Sequence, residues 1–359
     1  MPTDAAWARP APTVRIAVGR LRALIADILA AAGLERAAAQ AVAEPLVEAD
    51  QAGLGSHGVM LVPMYVKRLR AGSISRATQG TVLSDRGTAI VLDAANIFGQ
   101  LSARQAVAMA RDRAQQHGMA VVAVRHAFHL GAAGYWAAQL ANDGLVGIVM
   151  SNTRPLMPAP GGAERLVGNN PLAIAVPTDG ECIVFDMAAS AGAMGKIRLA
   201  AQAGAPIPGD WATNAEGNPT TDPAEAIKGM LLPAGGAKGF GLALVVDLLC
   251  GVLSGGAMGD AVQPLYGDPG TPYDCSHCFI AIDVARFADP AVAAAATAAY
   301  AARIRASRVI AGAVPARVPG DRGWALRREA AIECALARET ASALDELAAS
   351  LGVPDRLVN

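Results

Sequence analysis

Apolar residues near the amino terminus recur at intervals of three and four positions, the spacing of one face of an α-helix. From Leu21 this spacing predicts an amphipathic helix that Gly33 closes. A second helix is predicted from about Glu35 towards Asp50, with a kink at Pro45. The amino-terminal part of the chain is therefore expected to be helical.

The next stretch, Gly53–Tyr65, reads GLGSHGVMLVPMY and interrupts this pattern with glycines. A further helix is predicted to follow and to stop at Gly72. If the segment is helical from its start, residues spaced by four lie on one face, namely His57, Leu61 and Tyr65.

The middle of the chain carries short apolar runs rich in β-branched residues, which predict strands. These runs are Thr88–Asp93, Ala120–Val124, Val146–Ser151, Leu172–Pro177 and Ile183–Asp186. Two helical stretches, Gln100–His117 and Gly134–Asp143, interrupt them, so we expect an α/β or α+β core. No strand leads into G-x-G-x-x-G and no G-x-x-x-x-G-K-S/T occurs, which disfavours a Rossmann half or a P-loop.

The last third returns to helix after a polar, loop-like stretch at Ser190–Lys228. The predicted elements there are a helix at Gly236–Gly255, a strand at Cys278–Asp283, and helices at Pro290–Arg308 and Glu339–Leu351. Residues 1–13 are expected to form a loose tail.

Charge and composition narrow the classes of partner. The 359 residues carry 30 basic and 31 acidic side chains without long blocks of either sign, which argues against nucleic acid or an anionic membrane as the main partner. The first twenty residues contain no apolar core of signal-peptide length, and no apolar stretch of membrane-span length is free of Gly, Pro and charge. A cytoplasmic protein is expected.

The five cysteines are scattered along the chain. Only the segment Cys275-Ser-His277-Cys278 is typical of a metal knuckle, and a zinc site needs a second pair of ligands. Reduced thiols beside a strand are therefore preferred to a metal site.

His57 is the first candidate for chemistry, because an imidazole exchanges protons near neutral pH and the hydroxyl of Ser56 can orient it. The alternative is that Ser56 caps a helix and His57 is an ordinary turn residue.

Further candidates occur in five later motifs. In VRHAFHLGAAGY, His129 ends a strand and the following glycines open a helix, whose amides can hold an anion such as a pyrophosphate, although a close strand–helix turn needs the same glycines. Asparagines at strand ends, including Asn169, offer hydrogen bonds to a carboxamide or ribose but are also common turn residues. Asp186 follows a strand and can orient an imidazole. Lys238 and Gly239 open a helix suited to phosphate, and Pro319-Gly320-Asp321 suits ribose hydroxyls.

Together and in this order the motifs resemble one family. EADQAGLGSHGV, HLGAAGY, the SN…P…GG…NPLAIAVP run, FDMAAS, IPGDWATNAEGNPTTDP, LLPAGGAKGFGLAL and VPGDR are similar to those of the malate/L-lactate dehydrogenase family. That family is unrelated to the Rossmann-fold dehydrogenases and includes ureidoglycolate and sulfolactate dehydrogenases, a diketogulonate reductase and Δ1-piperideine-2-carboxylate reductase. The similarity runs from about residue 14 to the carboxyl terminus.

The resemblance implies a non-Rossmann NAD(P)-binding domain with a mainly antiparallel sheet at residues 86–284. It also implies a helical substrate and dimerisation domain built from residues 14–85 and 285–359, and a homodimer with shared active sites. NAD and NADP stay open at this point; Arg154 is a candidate for a 2′-phosphate or a solvated loop residue.

The resemblance also implies residue roles. His57 would give a proton to the reduced centre, helped by Ser56 and Asp186, and His129 would share in acid–base work. The cofactor would contact His129, Leu130, Gly131, Ala132, Ala133, Asp186, Met187, Ala188, Lys238, Gly239, Pro319, Gly320 and Asp321. Tyr65 would lie near the substrate.

Three departures from the family pattern fall near the expected substrate. Leu61 replaces an arginine that binds the substrate carboxylate, Asn169 replaces a threonine, and His126 replaces an asparagine. The motifs therefore support the cofactor more strongly than the substrate. The leading hypothesis is reduction of C=O in a 2-oxo acid or a modified derivative, the second is reduction of a cyclic imine, and the third is a catalytically silent binding protein.

Overall fold

The computed structural model describes residues 12–358, so most of the expected tail lies outside the described residues. The strands are β1 (Thr13–Ala17), β2 (Thr81–Asp85), β3 (Ala89–Asp93), β4 (Met119–Ala127), β5 (Leu145–Ser151), β6 (Leu172–Val176), β7 (Ile183–Met187), β8 (Cys275–Asp283) and β9 (Glu333–Ala337). The helices are α1 (Val18–Ala31), α2 (Arg36–Gln51), α3 (Val62–Ala71), α4 (Gly99–His117), α5 (Ala133–Asn142), α6 (Met194–Ala203), α7 (Pro223–Lys228), α8 (Ala237–Ser254), α9 (Pro290–Arg305), α10 (Asp321–Glu329) and α11 (Arg338–Ser350).

A seven-stranded sheet forms the centre of the molecule, in the order β2-β3-β4-β8-β5-β6-β7. Every neighbouring pair is antiparallel except β3 and β4. The long apolar strands β4, β5 and β8 lie in its middle, because they bury side chains on both faces between helices. The mainly antiparallel, mixed α/β fold is therefore confirmed.

The two ends of the described chain meet in a second, two-stranded sheet. β1 pairs with β9 in antiparallel register from Thr13 to Ala17. The helices that follow these strands, α1 and α11, lie next to each other. This pairing explains how a helical unit is assembled from both ends of the sequence.

One hydrophobic core extends from the helical unit into the sheet. Leu21 and Leu46 of the amino-terminal helices belong to the same buried cluster as Val122 and Phe279 of the central strands. The sheet also begins at Thr81, ahead of the boundary predicted at residue 86. The two units proposed from the sequence thus share a core.

The stretch Ser190–Lys228 is more ordered than its polar composition predicted. It contains α6 and α7, and both pack into a separate small core. Ile197 and Ala200 from α6 and Ala226 from α7 are fully buried there. The loop prediction was wrong because few apolar residues suffice when they all face one small cluster.

Helix α8 combines an inner and an outer apolar face. Val246 and Cys250 pack beneath the sheet, while Val245 and Val252 are exposed. By length and composition alone it is the one helix among residues 12–358 that passes as a membrane span. The buried Asp247, which accepts a hydrogen bond from Asn152 at 2.8 Å, is typical of a helix packed within a globular protein.

Candidate active site

The turn that carries Ser56 and His57 is tied to the end of α2. The Asp50 carboxylate accepts a hydrogen bond from the Val59 backbone N–H at 2.7 Å. A side chain on Gly58 would overlap this carboxylate, so glycine is required at that position. Burial raises the Asp50 pKa to about 7, and the Val59 hydrogen bond opposes that rise.

This turn is not part of one continuous helix. Two short 3₁₀ turns, Gly55–His57 and Val59–Leu61, are separated by the extended Gly58. The predicted single helical face through His57, Leu61 and Tyr65 was therefore wrong. Ser56 caps no helix; its Oγ instead lies 2.9 Å from His57 Nδ1.

His57 faces the second histidine of the sequence analysis. The ring centroids of His57 and His129 lie 5.7 Å apart with an interplanar angle of 26°. The fully buried Tyr65 places its hydroxyl 2.8 Å from His129 Nδ1. The structure thus brings together three of the predicted site residues from α3, the turn before it and the loop after β4.

Both imidazoles are held in their neutral form by their surroundings. Burial lowers the pKa of His57, and burial together with the neighbouring His57 and His277 lowers the pKa of His129 to about 3. At pH 7 neither ring carries a charge, so the pair is able to accept a proton or to donate a hydrogen bond.

Asp186 does not contact either imidazole among the described residues. Its carboxylate accepts a hydrogen bond from the Gly134 backbone N–H, at 2.8 Å, in the first turn of α5. The side chain reaches solvent, yet the surrounding protein limits its hydration and raises its pKa, while the Gly134 amide opposes this rise. The predicted triad-like role of Asp186 towards an imidazole is thus not what the geometry shows.

This contact also changes the expected role of the α5 amino terminus. An acidic side chain near the first amides of a helix interacts favourably with the helix dipole and competes with a phosphate there. Leu130, Gly131 and Ala132 form the loop in front of this helix, Ala133 is its first residue, and Gly131 approaches the carbonyl of His57. The loop therefore lines the histidine pair.

Backbone hydrogen bonds connect the remaining motifs to strand β7 and to the residues that follow it. Val184 N–H donates to the Pro319 carbonyl at 3.1 Å, and Ala189 N–H donates to the Asn169 carbonyl at 2.7 Å. Ala234 N–H donates to the Ala189 carbonyl at 2.9 Å, which fixes the loop before α8. Met187 and Ala188 are half-buried between these anchors.

The amino terminus of α8 is open. Gly235 and Gly236 adopt left-handed φ angles of 63° and 64°, and no heavy atom lies within 4 Å of the position of a Cβ on either. Lys238 is exposed beside them. Gly239 is buried, and a side chain there would overlap the Ala234 carbonyl. This end of the helix offers free amides and a cation to solvent.

The segment Pro319-Gly320-Asp321 packs beside β7 but is already hydrogen-bonded. Asp321 forms an ion pair with Arg305 at 2.7 Å and accepts a bond from Val318 N–H at 3.0 Å. The Arg305 partner lowers the pKa of Asp321. The carboxylate expected to meet ribose hydroxyls is thus engaged within the protein.

The three departures from the family pattern lie in different surroundings. Leu61 is 2 % exposed and packs in the main core, so it does not add apolar surface to an open pocket. His126 Nδ1 lies 3.0 Å from both carboxylate oxygens of Asp93, and one of these oxygens, Oδ2, also accepts from Arg125 Nε at 3.0 Å. Asn169 accepts a hydrogen bond from Thr153 Oγ1 at 2.9 Å.

Asp50 and Gln100 were not among the candidates from the sequence, and His277 was considered only as part of a metal knuckle. Asp50 stands six positions before Ser56, and an acidic side chain so close to the glycine-flanked histidine turn was a usable signal. Gln100 and His277 are both fully buried. His277 lies 3.1 Å from the Phe128 carbonyl and 2.9 Å from Ser151 Oγ, so its imidazole has structural partners in place of a metal.

Among residues 12–358 no group of three His, Cys, Asp or Glu side chains is arranged to hold a metal ion. The paired imidazoles and the buried phenol form one cluster of proton-exchanging groups on a mixed α/β fold.

Comparisons with known proteins agree with this description. Residues 16–344 match the malate/L-lactate dehydrogenase family. The ureidoglycolate dehydrogenase (NAD(+)) of Escherichia coli is 40% identical over 256 residues, which are 71% of this chain and 73% of that protein. The (2R)-3-sulfolactate dehydrogenase (NADP(+)) of Chromohalobacter salexigens is 35% identical over 316 residues, 88% of this chain and 92% of that protein.

A solved structure also matches over most of its length. Δ1-Piperideine-2-carboxylate reductase from Pseudomonas syringae has a TM-score of 0.83 at 30% identity, covering 93% of this chain and 100% of that one. The fold and the site define an oxidoreductase without a Rossmann domain. The chain belongs to the malate/L-lactate dehydrogenase family and is an NAD(P)-dependent enzyme of that family.

Proposed function

We propose that this protein interconverts a 2-hydroxy acid, or a modified derivative of one, and the corresponding 2-oxo compound, with His57 exchanging the proton. The observation that carries the proposal is the neutral His57–His129 pair, oriented by Ser56 on one side and Tyr65 on the other. No metal or covalent nucleophile is needed, because the nicotinamide supplies or takes up the hydride.

The lowered His57 pKa supports a specific order of events. A neutral imidazole can take the proton of a substrate hydroxyl while the hydride leaves the carbon. In the reverse direction the same imidazole, once protonated, returns that proton to the oxygen of the reduced carbon. Ser56 orients the ring through Nδ1, which leaves Nε2 for the substrate.

The residues present fit a nicotinamide dinucleotide. The open α8 amino terminus, with two left-handed glycines and Lys238, suits a phosphate group. Two hydrogen bonds flank Met187 and Ala188: Gly134 N–H donates to Asp186, and Ala234 N–H, just before that helix end, donates to the Ala189 carbonyl. We propose that Pro319 and Gly320 contribute by supporting β7, since Asp321 is paired with Arg305.

The substrate is proposed to lack a carboxylate at the usual position or to bind it through another cation. Leu61 is buried and uncharged. Loss of an arginine contact to a desolvated carboxylate typically costs about 2–5 kcal/mol. Arg125 and His126, the nearest replacements in the sequence, share Asp93 as a partner. Arg154 is half-buried, and its pKa is lowered by burial and then by nearby Arg165, so it is the better candidate for an anion.

A second candidate function is reduction of a cyclic imine, in which His57 would protonate nitrogen. The structural similarity to a solved Δ1-piperideine-2-carboxylate reductase supports this second candidate. A catalytically silent binding protein is the least supported alternative, because the proton-exchanging histidines are present and aligned.

The test is an assay of the purified protein with NADH and with NADPH against pyruvate, oxaloacetate, larger 2-oxo acids, their amides and a cyclic imine acid. We expect the larger or uncharged compounds to give higher kcat/KM than pyruvate and oxaloacetate. Ordinary dehydrogenase efficiency on pyruvate or oxaloacetate would end the substrate proposal. Failure to bind either dinucleotide would support the silent binding protein.

We also propose a homodimer with shared active sites, located in the cytoplasm. The outer face of α8 carries an apolar strip of Leu244, Val245, Leu248, Val252 and Leu253, each at least 41% exposed in the single chain. A contiguous apolar strip of this kind is typical of an interface. The alanine-rich α9, exposed along most of its length, is the other candidate surface.

A further inference from the structure

Helix α4 begins against the loop that carries His129. A side chain on Gly99 would overlap the carbonyl oxygens of Phe128 and His129, so this helix start and the loop are in direct contact. The next residue, Gln100, is completely buried at this junction.

The Gln100 side chain reaches the hydroxyl that contacts His129. Its Nε2 donates a hydrogen bond to Tyr65 Oη at 3.2 Å. Its Oε1 is buried and has no hydrogen-bond partner among the described residues. A buried amide oxygen without a partner is destabilising, so a glutamine at this position calls for a compensating role.

The hydrogen bond that Gln100 donates determines the partner to which the Tyr65 hydroxyl donates its own proton. Tyr65 Oη accepts from the amide, so its own O–H is free to donate, and the acceptor within reach is His129 Nδ1 at 2.8 Å. An imidazole that accepts at Nδ1 and is neutral carries its proton on Nε2.

We propose that Gln100 is a positioning residue that, through Tyr65, selects the Nε2–H tautomer of His129. His129 then presents a hydrogen-bond donor beside His57, suited to the oxygen on which negative charge develops during hydride transfer. The opposite amide orientation would make Tyr65 donate to Gln100 and would favour the Nδ1–H tautomer. The orientation of the Gln100 amide thus determines which of the two His129 tautomers is favoured.

Ring ¹⁵N NMR of the histidines in the substrate-free protein tests the tautomer without any assumption about activity. His129 is assigned with the His129→Gln variant. We expect the Nε2–H tautomer in the wild type and a loss of that preference in both Gln100→Leu and Tyr65→Phe. An Nδ1–H tautomer in the wild type, or an unchanged tautomer in Gln100→Leu, would overturn the proposal.

Kinetics give the second readout, which rests on the proposed function. We expect Gln100→Leu to lower kcat at least about tenfold with little change in KM, since the Nε2–H donor acts in the transition state. On a Tyr65→Phe background the same change should have no further effect, because both act through one contact. Equal, additive losses in kcat from the two variants would show that Gln100 does not act through Tyr65.

A matched control lies on the same helix. The side chain of Gln105 makes two hydrogen bonds to the backbone of Gly80 and none to the histidines. Gln105→Leu should leave the His129 tautomer and kcat unchanged within about twofold. If Gln100→Leu fails to fold, Gln100→Glu tests the same link, because an ionised carboxylate only accepts and should shift His129 towards Nδ1–H.

Discussion

At the scale of single residues, a single hydrogen-bonding side chain orients each imidazole of the site. His57 is oriented by one hydroxyl and His129 by one phenol. Burial, not a neighbouring carboxylate, sets their pKa, since Asp186 bonds to Gly134 and the pKa of Asp50 is itself raised. The pair therefore works as neutral groups near pH 7.

Replacing His57 by alanine is expected to lower kcat by about 10²–10⁴-fold, the usual contribution of general acid–base catalysis. The dissociation constant of the cofactor should stay within about twofold, because the proton is exchanged only in the transition state. Steady-state kinetics and a fluorescence titration of NADPH measure both quantities. His117→Ala, on the exposed end of α4, is the control. A loss in kcat below about threefold would assign the role to His129.

The buried His277 makes stability depend on pH. Burial lowers its pKa to about 4 in the folded protein, from 6.5. As the pH falls, His277 is therefore protonated in the unfolded chain before it is protonated in the folded protein. The contribution of the neutral His277 to the free energy of unfolding is complete above pH 6.5 and is lost as the pH falls towards 4. The full loss corresponds to about 3 kcal/mol.

The check is urea unfolding between pH 7 and 4 for the wild type and His277→Gln. The free energy of unfolding of the wild type should fall more steeply, by up to about 1.4 kcal/mol per pH unit, because only it has this titrating group. Other groups, such as Asp50, are common to both proteins and cancel. Parallel curves would mean that His277 is not neutral in the fold.

At the scale of elements, the two helix ends that the sequence suggests as anion sites differ in the structure. The α5 amino terminus is occupied by the Asp186 carboxylate, whereas the α8 amino terminus is open and carries Lys238. The local sequences of both ends contain glycines, but the carboxylate that occupies the α5 end comes from β7, which is distant in the sequence. We therefore propose the phosphate site at α8.

Lys238→Met is expected to raise the dissociation constant of the cofactor by about tenfold, equivalent to about 1.4 kcal/mol for a charge-assisted contact at an exposed site. The effect should shrink at high salt, because exposed charges are screened. Titration of NADH and NADPH at two ionic strengths provides the measurement. Lys67→Met, on the exposed side of α3, removes the same charge as a control and should change neither value.

At the scale of the whole molecule, the outer face of α8 leaves an apolar strip exposed in a single chain. We expect a dimer at micromolar concentration, measured by light scattering. Leu248→Asp should shift the mass towards the monomer, because it places a charge within the apolar strip. Leu199→Asp, on the equally exposed face of α6, should leave the mass unchanged. A monomeric wild type would contradict the proposal.

The sequence alone determined the elements with strong local patterns. β6 begins at the predicted Leu172, and α9 begins at the predicted Pro290. These elements depend on residue spacing, propensity and helix-breaking residues, all of which are local. The ordered motifs also identified the family, and with it the cofactor class.

Tertiary structure decided what depends on contacts between distant residues. β1 and β9 are short strands whose pairing joins opposite ends of the described chain, so no local pattern predicts them. Gln100 meets Tyr65 across 35 positions, and Asp186 meets Gly134 across 52. Leu61 lies in the core after the chain breaks into two 3₁₀ turns at Gly58, where a side chain would overlap the Asp50 carboxylate. Local spacing cannot specify such contacts, since their geometry is set by where other elements pack.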